Sequence, residues 1–196
     1  MYLALTGARL KAADCVYSGV ATHFSEMGAN TADSRIVPSG NWDAQLALLA
    51  DGTQEFLLCL SRDSGTEKPT LAEHREKIDR FFSANSVEAV LDALDSDGND
   101  WSRETAKTIR AKSPTATKLA FRQIREGKTL DFDDCMRMEF RMVNRVVAGK
   151  DFYEGVRATI IDKDQAPKWQ PARLEDVSDK DIDAYFAPLG DRELKL

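Results

Sequence analysis

The chain has 196 residues, with 27 lysines and arginines against 33 aspartates and glutamates and a net charge of −6 at pH 7. At 42% apolar and 31% charged it is too apolar for a disordered chain, and it is long enough for one domain or two small ones. The acidic balance argues against a general nucleic-acid binder, and apolar runs as short as Phe56-Leu57-Leu58-Cys59-Leu60 exclude a membrane-spanning helix.

In chain order, Tyr2-Leu3-Ala4-Leu5 opens a helix with no capping residue before it and Gly7 behind it. A second short helix fits Lys11 to Ser18, stopped by Gly19, and Val20-Ala21-Thr22-His23-Phe24 reads as a short strand. Residues 25–41 have no usable periodicity and read as a long loop; Trp42, Leu46 and Leu49 then share one helical face. From residue 70 the punctuation is helical. Thr70-Leu71-Ala72-Glu73 reads as a capping box for a helix carrying Ile78, Phe81 and Phe82, and Asn85-Ser86-Val87-Glu88 repeats the device for a helix ending at Gly98. A helix over 101–112 follows, then Ser113-Pro114 opens the next, which Gly127 stops. Thr129 is positioned to cap the longest helix, along which Phe132, Met136, Phe140, Val143 and Val147 form one apolar row. A helix from Asp151 to Ile161, an extended Pro167-Lys168-Trp169 and a last helix capped by Ser178 and Asp181 complete the chain, with Val177 and Ile182 forming a hydrophobic staple. The predicted class is mainly α, with at most one or two short strands.

The residues offer little local chemistry. His74 lies among Glu73, Arg75 and Glu76 and reads as a surface histidine; His23 has no Ser or Cys in a nucleophile turn nearby. Asp95-Ser96-Asp97-Gly98-Asn99-Asp100 looks like a calcium loop, but Ala106 stands where the bidentate Glu belongs, so it reads as an interhelical turn. Asp131, Asp133 and Asp134 suit the positive end of a helix dipole. Cys15, Cys59 and Cys135 have no metal or CxxC spacing and read as reduced thiols of a cytoplasmic chain; the expected catalytic and metal sets are both empty.

Three segments carry a resemblance. Tyr2-Leu3-Ala4-Leu5-Thr6-Gly7 with Gly19-Val20-Ala21-Thr22-His23-Phe24 resembles the "LALTG…ATHF" stretch of 3-hydroxyisobutyryl-CoA hydrolases, members of the enoyl-CoA hydratase/isomerase (crotonase) superfamily. Phe82-Ser83-Ala84-Asn85-Ser86-Val87-Glu88 is similar to their "FSANTVEE", and Lys112-Ser113-Pro114-Thr115 to their "KSPTS". Most specific is the stretch from Asp151-Phe152-Tyr153-Glu154-Gly155-Val156-Arg157-Ala158 to Ile161-Asp162-Lys163-Asp164-Gln165-Ala166-Pro167-Lys168-Trp169, which resembles "DFxEGVRAxLIDKDxxPxW". The resemblance leaves out about residues 25–70.

The resemblance implies the multi-helix C-terminal region of a crotonase-type enzyme. Residues 1–24 would be the end of the crotonase core, 25–69 a loop-rich segment with one short helix, and 70–196 a C-terminal helical domain. It also implies that the oxyanion loops and catalytic acids lie upstream of this chain, which would be inactive alone. The implied reaction is hydrolysis of (S)-3-hydroxyisobutyryl-CoA in valine breakdown, with coenzyme A as part of the substrate and no separate cofactor. Lys163, and after it Arg157, are the residues expected to reach the CoA phosphates; a lysine capping a helix C-terminus is the competing reading of Lys163. The expected partners are the acyl-CoA of the full-length enzyme and further copies of the chain, through the first helix and the Trp42 helix. A stand-alone helical interaction module and a fragment of an enoyl-CoA hydratase or isomerase are the alternatives.

Overall fold

The computed structural model describes residues 1–21 and 68–196, and among these the regular structure is helical, with no strand. Two compact units are present: Arg9–Glu76, and Met1–Ala8 with Lys77–Leu196. The expected strand at 20–24 is described only at Val20 and Ala21, which are not extended into one; the Trp42 helix and His23 lie outside the described residues.

In the smaller unit, α2 (Ala12–Tyr17) and α3 (Thr70–Glu73) are joined through one carboxylate. The expected capping box at Thr70 does not form. The residue before α3 is Pro69, which offers no side-chain acceptor. Asp14 supplies it instead, accepting the Thr70 hydroxyl and the Leu71 N–H, each at 2.9 Å. The helix also breaks at His74, so that α4 (Arg75–Phe81) starts afresh.

The larger unit is a helical assembly of α1 (Tyr2–Thr6), α5 (Val87–Asp97), α6 (Asp100–Arg110), α7 (Pro114–Glu126), α8 (Phe132–Val146), α9 (Asp151–Val156) and α10 (Asp179–Phe186). Its first core gathers Leu5 of α1 with Phe82, Val90 and Leu94, Ile109 of α6 and Phe121 of α7. Tyr2 of α1 lies edge-on to Phe82 with ring centroids 5.2 Å apart, so α1 adds both Tyr2 and Leu5 to this core. The second core joins Leu119 of α7 to Met138 and Met142 of α8 and to Val177, Ile182 and Phe186 around α10. α7 thus serves both cores from two sides.

Local caps fix the joints. Ser86, Asn99, Ser113, Asp131 and Ser178 each accept a backbone N–H of the first turn that follows. Asp131 caps α8 in place of Thr129, whose hydroxyl donates back to Glu126 O at 3.0 Å. The Asp95–Asp100 stretch is the turn between α5 and α6. Gly98 takes φ 60° there, a left-handed position that favours glycine, and Asp97 accepts from Lys77, Ser102 and Asn99. The row Phe132, Met136, Phe140, Val143 and Val147 is not the core face of α8, because Met138 and Met142 point inward and the row faces out.

Candidate functional site

The segment 151–169 folds back on itself as a clasp. α9 runs directly into a wider, π-type turn at Arg157–Ile161, so the chain is helical over the whole of 151–161 as the sequence predicts. Arg157 sits at the junction and spends its guanidinium within the clasp. It binds Glu154 through Nε and Nη2 at 2.9 and 2.7 Å, Asp162 and Asp164 through Nη1 at 2.6 and 2.7 Å, and the Ala166 carbonyl at 3.3 Å. Glu154 also accepts the Lys168 N–H at 2.7 Å. The hydrogen bonds from Arg157, and then that from Lys168, hold the Glu154 carboxyl down at about 2.

These bonds shape a tight loop. Lys163 and Gln165 both adopt left-handed backbone, φ 57° and 54°, a conformation costing side-chain-bearing residues about 1 kcal/mol or more each. Gln165 N–H returns to Ala158 O at 3.0 Å and Ala166 N–H to Asp164 at 2.9 Å, which keeps the loop in place. Lys163 is exposed on it, and its ammonium has no hydrogen-bond or ion-pair partner among the described residues. It caps no helix. Of the two residues expected at a phosphate, Lys163 has a free cation and Arg157 has its charge committed.

Three further residues anchor the clasp, and sequence reasoning gave them no role. Asp151 accepts from the Ser113 hydroxyl at 2.5 Å and the Gln170 N–H at 2.9 Å, tying the clasp to the start of α7. Trp169 donates its indole N–H to Ala111 O at 3.0 Å, and Gly155 lets that ring lie against α9. The signal was present in the alternation of acidic, basic and aromatic residues, but only the fold pairs them.

No group of His, Cys, Asp and Glu among the described residues could hold a metal ion. His74 is half-buried at the end of α3, where its backbone N–H donates to Leu71 O. A cleft of about 670 Å3 between α5, α7 and α10 carries Lys118 and Arg122, both already paired, with Glu88 and with Glu126 and Asp183. The two serines that line it, Ser86 and Ser178, are engaged as helix caps.

The sequence pattern of the enoyl-CoA hydratase/isomerase family matches residues 1–186. The chain belongs to that family. It is 42% identical over 99% of its length to the mitochondrial 3-hydroxyisobutyryl-CoA hydrolase of Gallus gallus and 38% identical to that of Homo sapiens, which it matches over its full length. The similarity therefore runs through residues 25–70 as well. Among solved structures it superimposes on a carnitinyl-CoA dehydratase from Mycobacterium thermoresistibile with a TM-score of 0.78 at 31% identity, covering 99% of this chain and 52% of that one. An enoyl-CoA hydratase from Rhodobacter sphaeroides gives 0.75 at 28%, covering 53% of that chain.

The chain spans about half the length of the curated relatives it matches, and that half is their C-terminal one. For an enoyl-CoA hydratase/isomerase family chain this accounts for the helical architecture. No described helix is long and apolar enough to cross a membrane.

Proposed function

We propose that this chain is the C-terminal portion of an acyl-CoA thioester hydrolase of the 3-hydroxyisobutyryl-CoA type, acting in the cytoplasm on a substrate of valine breakdown. The single observation that supports it best is the match of the whole chain, at about 40% identity, to one half of those hydrolases. In the reaction, water adds to the thioester carbonyl, the C–S bond breaks and CoA leaves as its thiol. An oxyanion-binding pair of amides and a carboxylate to activate the water are needed, and this reading assigns both to the half that the chain does not cover.

Within this reading, Lys163 contacts the CoA phosphates, since a free ammonium on a stiff loop suits a multiply charged anion. Arg157 is the positioning residue, binding Asp162 and Asp164 on either side of Lys163. The test is CoA release from (S)-3-hydroxyisobutyryl-CoA, followed by a thiol reagent. The expected result is none from the purified chain, and turnover when it is co-produced with the N-terminal half of the Gallus gallus relative. Turnover by the chain alone would overturn the assignment of the reacting groups. A Lys163→Ala variant of the active pair should raise KM more than it lowers kcat.

A further inference from the structure

The seam between the α6–α7 joint and the chain just after the clasp holds a cavity of about 230 Å3 that the thioester reading leaves unused. Its floor is aliphatic: Val87 and Leu91 of α5, Ile109 of α6 and Leu174 beyond the clasp, all belonging to the first core or packed against it. Thr117 also lines it, its hydroxyl already spent on Ser113 O at 2.8 Å. The mouth is charged, with Arg110, Lys112, Arg173 and Glu175 around it. We propose that this cavity binds a free α-amino acid with a branched aliphatic side chain, of the size of valine or leucine. The inference goes beyond the thioester hydrolase reading and does not depend on it.

The mouth carries both signs of charge. Arg110 is taken up by Asp95, which it binds through both terminal nitrogens. Arg173 spends only Nε, on Glu175 at 3.2 Å, so its two terminal nitrogens remain for a carboxylate. The Lys112 ammonium has no hydrogen-bond or ion-pair partner among the described residues; it lies near Gly7, and its flexible four-carbon stem lets it swing to the mouth. Glu175 is kept below the usual carboxylate range by its own backbone N–H and then by Arg173, so it stands ionised to receive an ammonium. The Arg173–Glu175 pair is open to water, its side chains 71% and 64% exposed, and such pairs contribute little. A ligand that gives a carboxylate to one and an ammonium to the other therefore displaces no strong bond. A simple carboxylate would meet Glu175 as a like charge, and a simple amine would meet Arg173 and Lys112; a zwitterion avoids both. Size and floor set the rest. Sites for drug-sized ligands begin at about 300 Å3, so this one takes a molecule of about ten non-hydrogen atoms with an apolar end. Its wall is in place before a ligand arrives. The Trp169 bond to Ala111 O and the bonds of Asp151 to Ser113 and Gln170 hold the chain leading into 172–175 against the α6–α7 joint.

Titration of the isotope-labelled full chain with L-leucine, followed by amide chemical shifts, tests this. Saturable shifts at Leu91, Thr117 and Leu174 with a Kd of about 1 mM are expected. Isovalerate, isoamylamine and glycine, which lack the ammonium, the carboxylate and the side chain in turn, should each bind weaker by roughly tenfold or more. Arg173→Gln should weaken leucine by about tenfold, and Glu175→Gln by about as much while leaving isovalerate no weaker. Ala172→Trp, at an exposed position on the rim, should fill the cavity and abolish the shifts with the circular dichroism unchanged. Absence of saturable leucine binding overturns the proposal. Isovalerate binding as tightly as leucine would make this a plain carboxylate site and also overturns it. So do leucine shifts indifferent to Arg173→Gln, Glu175→Gln and Ala172→Trp.

Discussion

Arg157 grips Glu154 with two parallel N–H···O bonds while its third nitrogen holds Asp162 and Asp164, so one guanidinium closes the clasp at 151–169. Glu154 has its pKa lowered from 4.5 to about 2, chiefly by Arg157 and then by the Lys168 N–H. A carboxyl with a lowered folded pKa stabilises fully above its unfolded value and loses that contribution as pH falls through the folded one. Hydrogen-exchange protection at Lys168 and Gln165 should therefore hold above pH 4.5 and fall away between 4.5 and about 2. Glu154→Gln should show the same loosening at neutral pH. Unchanged protection in that variant would mean the loop is held by other bonds.

Asp14 is the second acid whose fold-given partners matter. It is 1% exposed and burial alone would raise its pKa, yet the value is lowered, because the Leu71 N–H, the Thr70 hydroxyl and the Lys11 N–H together outweigh the lost hydration. Asp14→Ala should destabilise the Arg9–Glu76 unit by about 2 kcal/mol and Asp14→Asn by about 1, since Asn retains one acceptor oxygen. The rate of proteolysis within that unit reads this directly. The wild-type chain should lose the same stabilisation below its ordinary carboxylate range, as acid protonates the cap.

The contrast between these acids and the serine caps explains what could be read in advance. Ser113 and Ser178 cap the turn that follows them, so three residues of sequence contain the whole interaction. Asp14 caps a helix 56 residues away, and no local pattern links it to Thr70. The apolar period of α8 was visible too, but periodicity reports a face and not its direction. With Met138 and Met142 on one side and the Phe132 row on the other, only the packing of α10 decides which is inside. The clasp was conspicuous as a motif, while the pairing of its charges required two left-handed residues that sequence does not announce. The candidate phosphate contact rests on Lys163 alone.

Ser113 does two things at once. Its hydroxyl oxygen accepts the Ala116 N–H at 3.1 Å and its proton goes to Asp151 at 2.5 Å. Ser113→Ala removes both the cap of α7 and a partner of the clasp, and should lower the unfolding free energy in urea by about 1–2 kcal/mol. Ser113→Thr keeps the hydroxyl and should recover most of it. Equal losses for Ala and Thr would show that crowding at this buried site, and not hydrogen bonding, sets the outcome.

Gly155 tests whether the Trp169 contact is a packing requirement. A Cβ on Gly155 would lie 3.4 Å from the edge of the indole, a tight but ordinary contact. Alanine also favours a helix by about 1 kcal/mol over glycine, so Gly155→Ala should be close to neutral. Valine adds two carbons that cannot fit without moving the ring and breaking its bond to Ala111 O. Gly155→Val should therefore destabilise by about 1–3 kcal/mol, with a red shift in tryptophan emission. Trp169→Leu should lose the indole bond but tolerate Gly155→Val better than the wild-type ring does, because the obstructing edge is gone. The coupling between the two positions in a double-mutant cycle measures that relief. Additive losses would place the clash of the added valine carbons somewhere other than Trp169.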